Sequence, residues 1–128
     1  MTELEHDNGL VLEVPPGLVA RTTDGGFVIR PANAGEVRNP FELSVTLEQT
    51  ATRGGVKRRV VKGREVSYTV SQSEGGSYGP QYVLSAWMIL SGRTVALRFT
   101  TQGEDDAEPD FSLAWKLLEK ATVRSAEP

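Results

Sequence analysis

Five carboxylates crowd seven positions in Glu104-Asp105-Asp106-Ala107-Glu108-Pro109-Asp110, the densest ionisable stretch of the chain. Carboxylate oxygens are the preferred ligands of hard cations such as calcium. The run lacks the spacing and the central glycine of a full calcium loop, and acids are also favoured at the start of a helix, where they face the positive end of its dipole. A solvated helix N-terminus and a cation site both fit these residues. Catalysis by paired carboxylates needs the two groups facing each other across a cleft, whereas these share one short stretch. The only histidine, His6, stands in a polar N-terminal segment, and there is no cysteine. Without a partnered histidine or a thiol, no Ser-His-Asp or Cys-His arrangement can be assembled. The residues predict a protein that is not an enzyme, with no intrinsic cofactor and no metal bound in isolation.

Two further stretches carry chemistry. Glu74-Gly75-Gly76-Ser77-Tyr78-Gly79-Pro80 is rich in glycine, but it precedes a strand, whereas phosphate cradles open helices. It reads as a surface loop displaying Tyr78, whose rigid ring and single hydroxyl suit an interface anchor. Lys57-Arg58-Arg59, with Lys62 and Arg64, could meet phosphates. Successive residues of a strand face opposite ways, however, so Lys57 and Arg59 share a face that Arg58 does not, and such charges also guard an edge strand against unwanted pairing. The formal net charge of −3 argues against a general nucleic-acid binder, which needs a basic surface.

These segments hang on a frame of strands. Residues 81–102 form a long hairpin through Ser91-Gly92. In it Val83, Ser85, Trp87 and Ile89 alternate with Leu84, Ala86, Met88 and Leu90, and both faces are apolar enough to need cover. The returning strand sets Val95, Leu97 and Phe99 against Ala96, Arg98 and Thr100, a half-buried pattern. A helix over 110–121, started by Pro109, aligns Phe111, Ala114, Trp115, Leu118 and Ala121 in one stripe, and Lys116, Lys120 and Arg124 complement its negative end. Trp87 and Trp115 are expected on opposite sides of one core.

Upstream, Leu10-Val11-Leu12-Glu13-Val14 is a strand ended by Pro15-Pro16-Gly17. Residues 18–22 and 27–30 pair through Asp24-Gly25-Gly26, a turn of residues that tolerate positive φ. Residues 41–49 alternate, with Phe41, Leu43, Val45 and Leu47 turned to the core, and residues 57–61 and 64–71 pair through Lys62-Gly63. Many strands and one closing helix predict an α+β fold: an antiparallel β-sheet meander with a C-terminal amphipathic helix packed on it. The expected organisation is a polar N-terminal tail over 1–9, a single domain over 10–124 and a C-terminal tail over 125–128. At 128 residues such a domain can bury a core without disulfides. No stretch reaches the ~20 apolar residues that cross a bilayer, and the first residues lack the apolar run of a signal peptide. That predicts a soluble chain.

In a meander over 41–102, alternate connections share one end of the sheet. One end then carries the tight turns Lys62-Gly63 and Ser91-Gly92. The other gathers residues 50–56, 73–80 and 103–108, and long loops on one rim of a rigid sheet make a binding surface. The expected partner-binding residues are Glu74, Gly75, Gly76, Ser77, Tyr78, Gly79, Glu104, Asp105, Asp106 and Glu108.

The succession Leu-Glu-Val-Pro-Pro-Gly-Leu (12–18), Asp-Gly-Gly-Phe (24–27), Arg-Asn-Pro (38–40), Lys-Arg-Arg (57–59) and Glu-Pro-Asp-Phe-Ser-Leu-Ala-Trp-Lys-Leu-Leu-Glu (108–119) resembles the immunity proteins paired with type VI secretion muramidase effectors, and the wider Mog1p/PsbP-like fold. The resemblance implies a periplasmic lipoprotein that plugs the peptidoglycan-cutting cleft of the effector and so protects against self or sister-cell intoxication. The lipoprotein signal and its cysteine are not in this sequence. The implied partner is the secreted muramidase, with no nucleic acid, and with a membrane only through such an anchor. The family's calcium belongs to the effector and its complex, which implies a shared ion near Glu104, Asp105 and Asp106. The alternative is a PsbP/Mog1p-like protein-binding adaptor without an inhibitory role.

Overall fold

The turn after Leu90 fixes which side of the central hairpin is buried. Leu90 pairs with Arg93 across it, so Met88, Ala86 and Leu84 fall opposite Val95, Leu97 and Phe99. All six are almost wholly enclosed. In the computed structural model, which describes residues 2–32, 41–48, 57–73, 81–90, 92–102 and 111–124, this hairpin lies within a seven-stranded antiparallel sheet. Its strands are β3 (Leu18–Thr22), β4 (Gly26–Pro31), β5 (Phe41–Glu48), β6 (Lys57–Val61), β7 (Arg64–Ser73), β8 (Gln81–Leu90) and β9 (Arg93–Gln102), in the order β3-β4-β5-β9-β8-β7-β6.

The second layer consists of the helix α1 (Ser112–Lys120) and a small sheet of β1 (Thr2–Glu5), β2 (Leu10–Val14) and β10 (Thr122–Val123), ordered β1-β2-β10. Leu10, Leu12 and Val14 of β2 join Ala114, Leu117 and Leu118 of α1 in one cluster with the inward residues of the large sheet. The helix thus borders β2 as well as the large sheet, which makes its buried face wider than the single stripe expected and encloses Leu117. Its described part begins at Ser112, after the buried Phe111. At its other end Arg64 of β7 donates from Nη1 to the carbonyls of Leu118 (3.0 Å) and Ala121 (2.5 Å). These are among the carbonyls a helix end leaves unpaired, and a cation also suits the negative pole of its dipole. Arg124, expected to serve that end, instead pairs with Glu5 and Glu3 of β1.

Three sequence expectations change. The meander is broken, because β5 pairs with β4 and β9, while β6 lies at the far edge against β7. Trp87 is not across the core from Trp115. It opposes Ala96 and Ser67 on the outer face, away from the helix, because the two-residue turn gives the inward positions to its neighbours Ala86 and Met88. Trp115 is half-buried at the helix edge, its ring edge-on to Tyr68 at 5.2 Å and beneath the Arg59 guanidinium at 4.6 Å. Residues 2–5, read as tail, are β1, with Leu4 opposite Leu12 and packed on the core.

His6 and Asn8 tie this N-terminal segment to the β3–β4 turn. His6 Nε2 lies 2.7 Å from the Thr23 carbonyl, and its Nδ1 accepts the Asn8 backbone N–H at 3.1 Å. Asn8 Nδ2 donates to the Gly25 carbonyl at 2.9 Å. The His6 ring also meets Phe27 edge-on at 5.6 Å. Both imidazole nitrogens are thereby satisfied by the neutral tautomer protonated at Nε2, which makes this histidine a structural clasp.

Candidate functional site

The two ends of the large sheet are built differently. At the end holding Gly92, backbone and side-chain bonds knit the segments together. Arg93 Nη1 donates to the Asn8 carbonyl at 2.8 Å, and the Arg124 N–H to the Gly9 carbonyl at 2.8 Å. The turn Lys62-Gly63 lies there too, with both residues at positive φ. At the opposite end, Ser73 pairs with Gln81, Gln81 with Gln102, and Phe41 with Thr101. The strand ends that flank 74–80 and 103–110 are therefore immediate neighbours. Beneath them Phe99 stacks on Phe41 at 5.1 Å and meets Phe111 edge-on at 5.7 Å. Strand ends backed by such a cluster are a stiff mounting for whatever they carry.

Glu74, Gly75, Gly76, Ser77, Tyr78, Gly79, Glu104, Asp105, Asp106 and Glu108 all lie outside the described residues. So do residues 50–56, but their flanking strands correct one expectation. Glu48, the last residue of β5, pairs with Thr94 near the Gly92 end. Strands β5 and β6 run in the same direction with three strands between them, so this connection leaves from the end opposite to 74–80. Consecutive strands are neighbours only about two-thirds of the time, and the meander assumption failed at this junction.

The outer face holds features that reading the loops missed. Arg58, Glu65, Ser67, Trp87 and Ile89 line a concavity of about 280 Å³. An exposed ion pair, Arg58 to Glu65 at 3.6 Å, spans it. A second concavity, of about 310 Å³, runs along the β3 edge between Val19, Arg21, Val28, Arg30, Pro31 and Ala32. Register places Arg21, Val28, Ser44 and Arg98 in one row across the outer face. Arg30 pairs with Glu42 at 2.9 Å, while Arg21 and Arg98 are exposed with no ion-pair partner among the described residues. The signal for this surface was the alternation Val19-Ala20-Arg21 on a short strand. Among the described residues no three His, Asp or Glu side chains converge as a metal site, and His6 is committed to backbone groups.

A family model described as the type six secretion immunity 3 domain matches residues 11–122. The immune protein Tsi3 of Pseudomonas aeruginosa is 37% identical over 121 residues, which cover 94% of this chain and 81% of that protein. Two solved structures share the fold. A Bacteroides thetaiotaomicron protein superposes with a TM-score of 0.67 at 10% identity over 91% of this chain, which spans 46% of that protein. LpqN of Mycobacterium tuberculosis, involved in cell envelope biogenesis, superposes with a TM-score of 0.58 at 12% identity over 97% of this chain and 90% of its own. The architecture is the α+β, Mog1p/PsbP-like one, mostly antiparallel sheet with one C-terminal helix.

Proposed function

The chain belongs to the type six secretion immunity 3 family and is an immunity protein of type VI secretion; from that premise we propose that it blocks the active-site cleft of a muramidase effector by occupying it. The observation that carries the immunity part of the reading is the family match, which takes in most of both layers of the fold. A protein of this kind acts by binding the effector it protects against, and needs no chemistry of its own. That the effector is a muramidase rests on the resemblance of motifs such as Pro15-Pro16-Gly17 and the closing segment 108–119. Such an effector cuts peptidoglycan, so the encounter is periplasmic.

The contact surface in this reading is formed by 74–79 with 104–108, and the adjacency of their flanking strand ends supports it. A cleft shaped for sugars between carboxyl groups admits small, polar, projecting residues. Tyr78 is the aromatic anchor, and Glu104, Asp105, Asp106 and Glu108 supply polar contacts, with Glu104, Asp105 and Asp106 also offering oxygen ligands to a calcium ion shared with the effector.

Calorimetric titration of the inactivated effector, with and without calcium, tests this. Tyr78→Ala and the change of the four acids to Asn or Gln should each cost about 2 kcal/mol or more, roughly thirtyfold in affinity, at unchanged melting temperature. Lys62→Ala, at the opposite end, should leave binding intact. Weakened binding by Lys62→Ala alone would put the contact at the wrong end of the sheet.

A further inference from the structure

The large sheet has two edges, and they are not equally protected. At the β6 edge, Lys57, Arg58 and Arg59 present three successive cations over a five-residue strand, a common defence against pairing. The β3 edge carries one charge, Arg21; each edge exposes a valine, Val19 at 56% and Val60 at 69%, so the edges differ in charge. No strand lies beyond β3 among the described residues.

Its hydrogen-bonding groups can be followed through the ladder. The Thr23 N–H donates to the Gly26 carbonyl at 2.8 Å, and the Ala32 N–H to the Gly17 carbonyl at 2.9 Å. Antiparallel pairs alternate between bonded and non-bonded, so Arg21 with Val28 and Val19 with Arg30 are the bonded pairs between them. Leu18, Ala20 and Thr22 therefore direct their N–H and C=O groups away from β4. That is an evenly spaced row of donors and acceptors bordering the 310 Å³ trough, in which Arg21 supplies the cation without an ion-pair partner among the described residues.

We propose that the β3 edge receives an extended acidic segment of the effector as an added antiparallel strand, bonded to Leu18, Ala20 and Thr22, with a carboxylate on Arg21. Main-chain bonds give such a strand its affinity, and the alternate side chains give it selectivity. A second copy of this chain is disfavoured as the occupant. A two-fold pairing centred on Ala20 would set the two Arg21 side chains near each other on one face, whereas an acidic strand complements them. The proposal rests on the immunity reading and adds a contact to it.

The probe is the catalytically inactivated form of the effector that this chain protects against, titrated against the whole chain. Ala20→Pro removes an outward N–H without touching the β3–β4 ladder, and Val60→Pro does the same on the β6 edge. We expect Ala20→Pro and Arg21→Glu each to weaken binding at least tenfold, and Val60→Pro to change it less than twofold. Amide exchange on the unaltered chain decides independently of folding in the variants: Leu18, Ala20 and Thr22 should gain protection in the complex. A complex that forms without that protection, or with undiminished affinity for a folded Ala20→Pro protein, overturns the added strand and leaves the immunity reading standing. Absence of any complex with the unaltered chain overturns both. If Ala20→Pro instead abolishes self-association while effector binding persists, the occupant is a second copy and the proposal fails.

Discussion

Gly26→Ala is expected to destabilise the protein by more than about 3 kcal/mol, a large part of the ~5–15 kcal/mol that holds a domain of this size together. A Cβ at Gly26 would lie 1.9 Å from the Val45 carbonyl oxygen and 2.9 Å from Thr46 Cα. All the obstructing atoms are backbone of β5, so no rotamer change relieves the overlap. The β4 and β5 strands would have to part where Gly26 pairs with Thr46, beside the bond from the Leu47 N–H to the Gly25 carbonyl. The adjacent glycine is the control. A Cβ at Gly25 meets only Thr46 side-chain atoms, at 3.5 Å and 3.6 Å, which is ordinary contact. Gly25→Ala should cost less than about 1 kcal/mol. Urea denaturation of both variants checks the pair, and equal losses would mean that the close approach of β4 to β5 is misplaced.

Phe99→Ala should be the second severe change, at about 3–5 kcal/mol. Phe99 is 4% exposed and is the middle ring of the Phe41–Phe99–Phe111 cluster, so its removal leaves two aromatic neighbours facing a void. Trp115→Ala should cost less, because that ring is only partly buried and one of its faces is covered by the Arg59 guanidinium rather than by apolar core. The two should also differ in binding. Loss of Phe99 loosens the strand ends that flank 74–80 and 103–110, so effector affinity should fall with stability. Trp115 lies beside β6 and β7, and its loss should lower the melting temperature while the folded fraction still binds. Thermal melts paired with titrations separate these outcomes.

Turn chemistry was the legible part of the fold. Asp24-Gly25-Gly26, Lys62-Gly63 and Ser91-Gly92 each mark a hairpin that forms, because short connections leave the chain few alternatives, although Asp24, Gly25 and Gly26 adopt no positive φ and Gly26 serves instead the close approach of the Val45 backbone. Pairing between strands distant in sequence was not legible. Nothing in the alternation of 41–48 names β9, some fifty residues later, as its neighbour; the cations of β6, where only Val61 is buried, were the cue that β6 lies at an edge and not between β5 and β7. The outward position of Trp87 could have been derived. A two-residue turn after Leu90 puts Met88 opposite Val95 and Trp87 opposite Ala96, a parity that holds whatever the size of the indole. His6 illustrates another limit: its polar neighbours suggest a tail, yet Leu4 packs on the core, Arg124 pairs with Glu3 and Glu5, and His6 and Asn8 bond to the β3–β4 turn. For the contact surface, residue types distinguished 74–79 and 104–108 as candidates, whereas the open edge at β3 emerges only from the strand order.

The most direct test is a turbidity assay on peptidoglycan with a fixed amount of the active effector and increasing amounts of this chain. Stoichiometric occupation of the cleft predicts that clearing falls linearly and stops near one equivalent, and that the chain alone clears nothing. Continued clearing in the presence of a large excess of folded chain, or clearing by the chain itself, would contradict it.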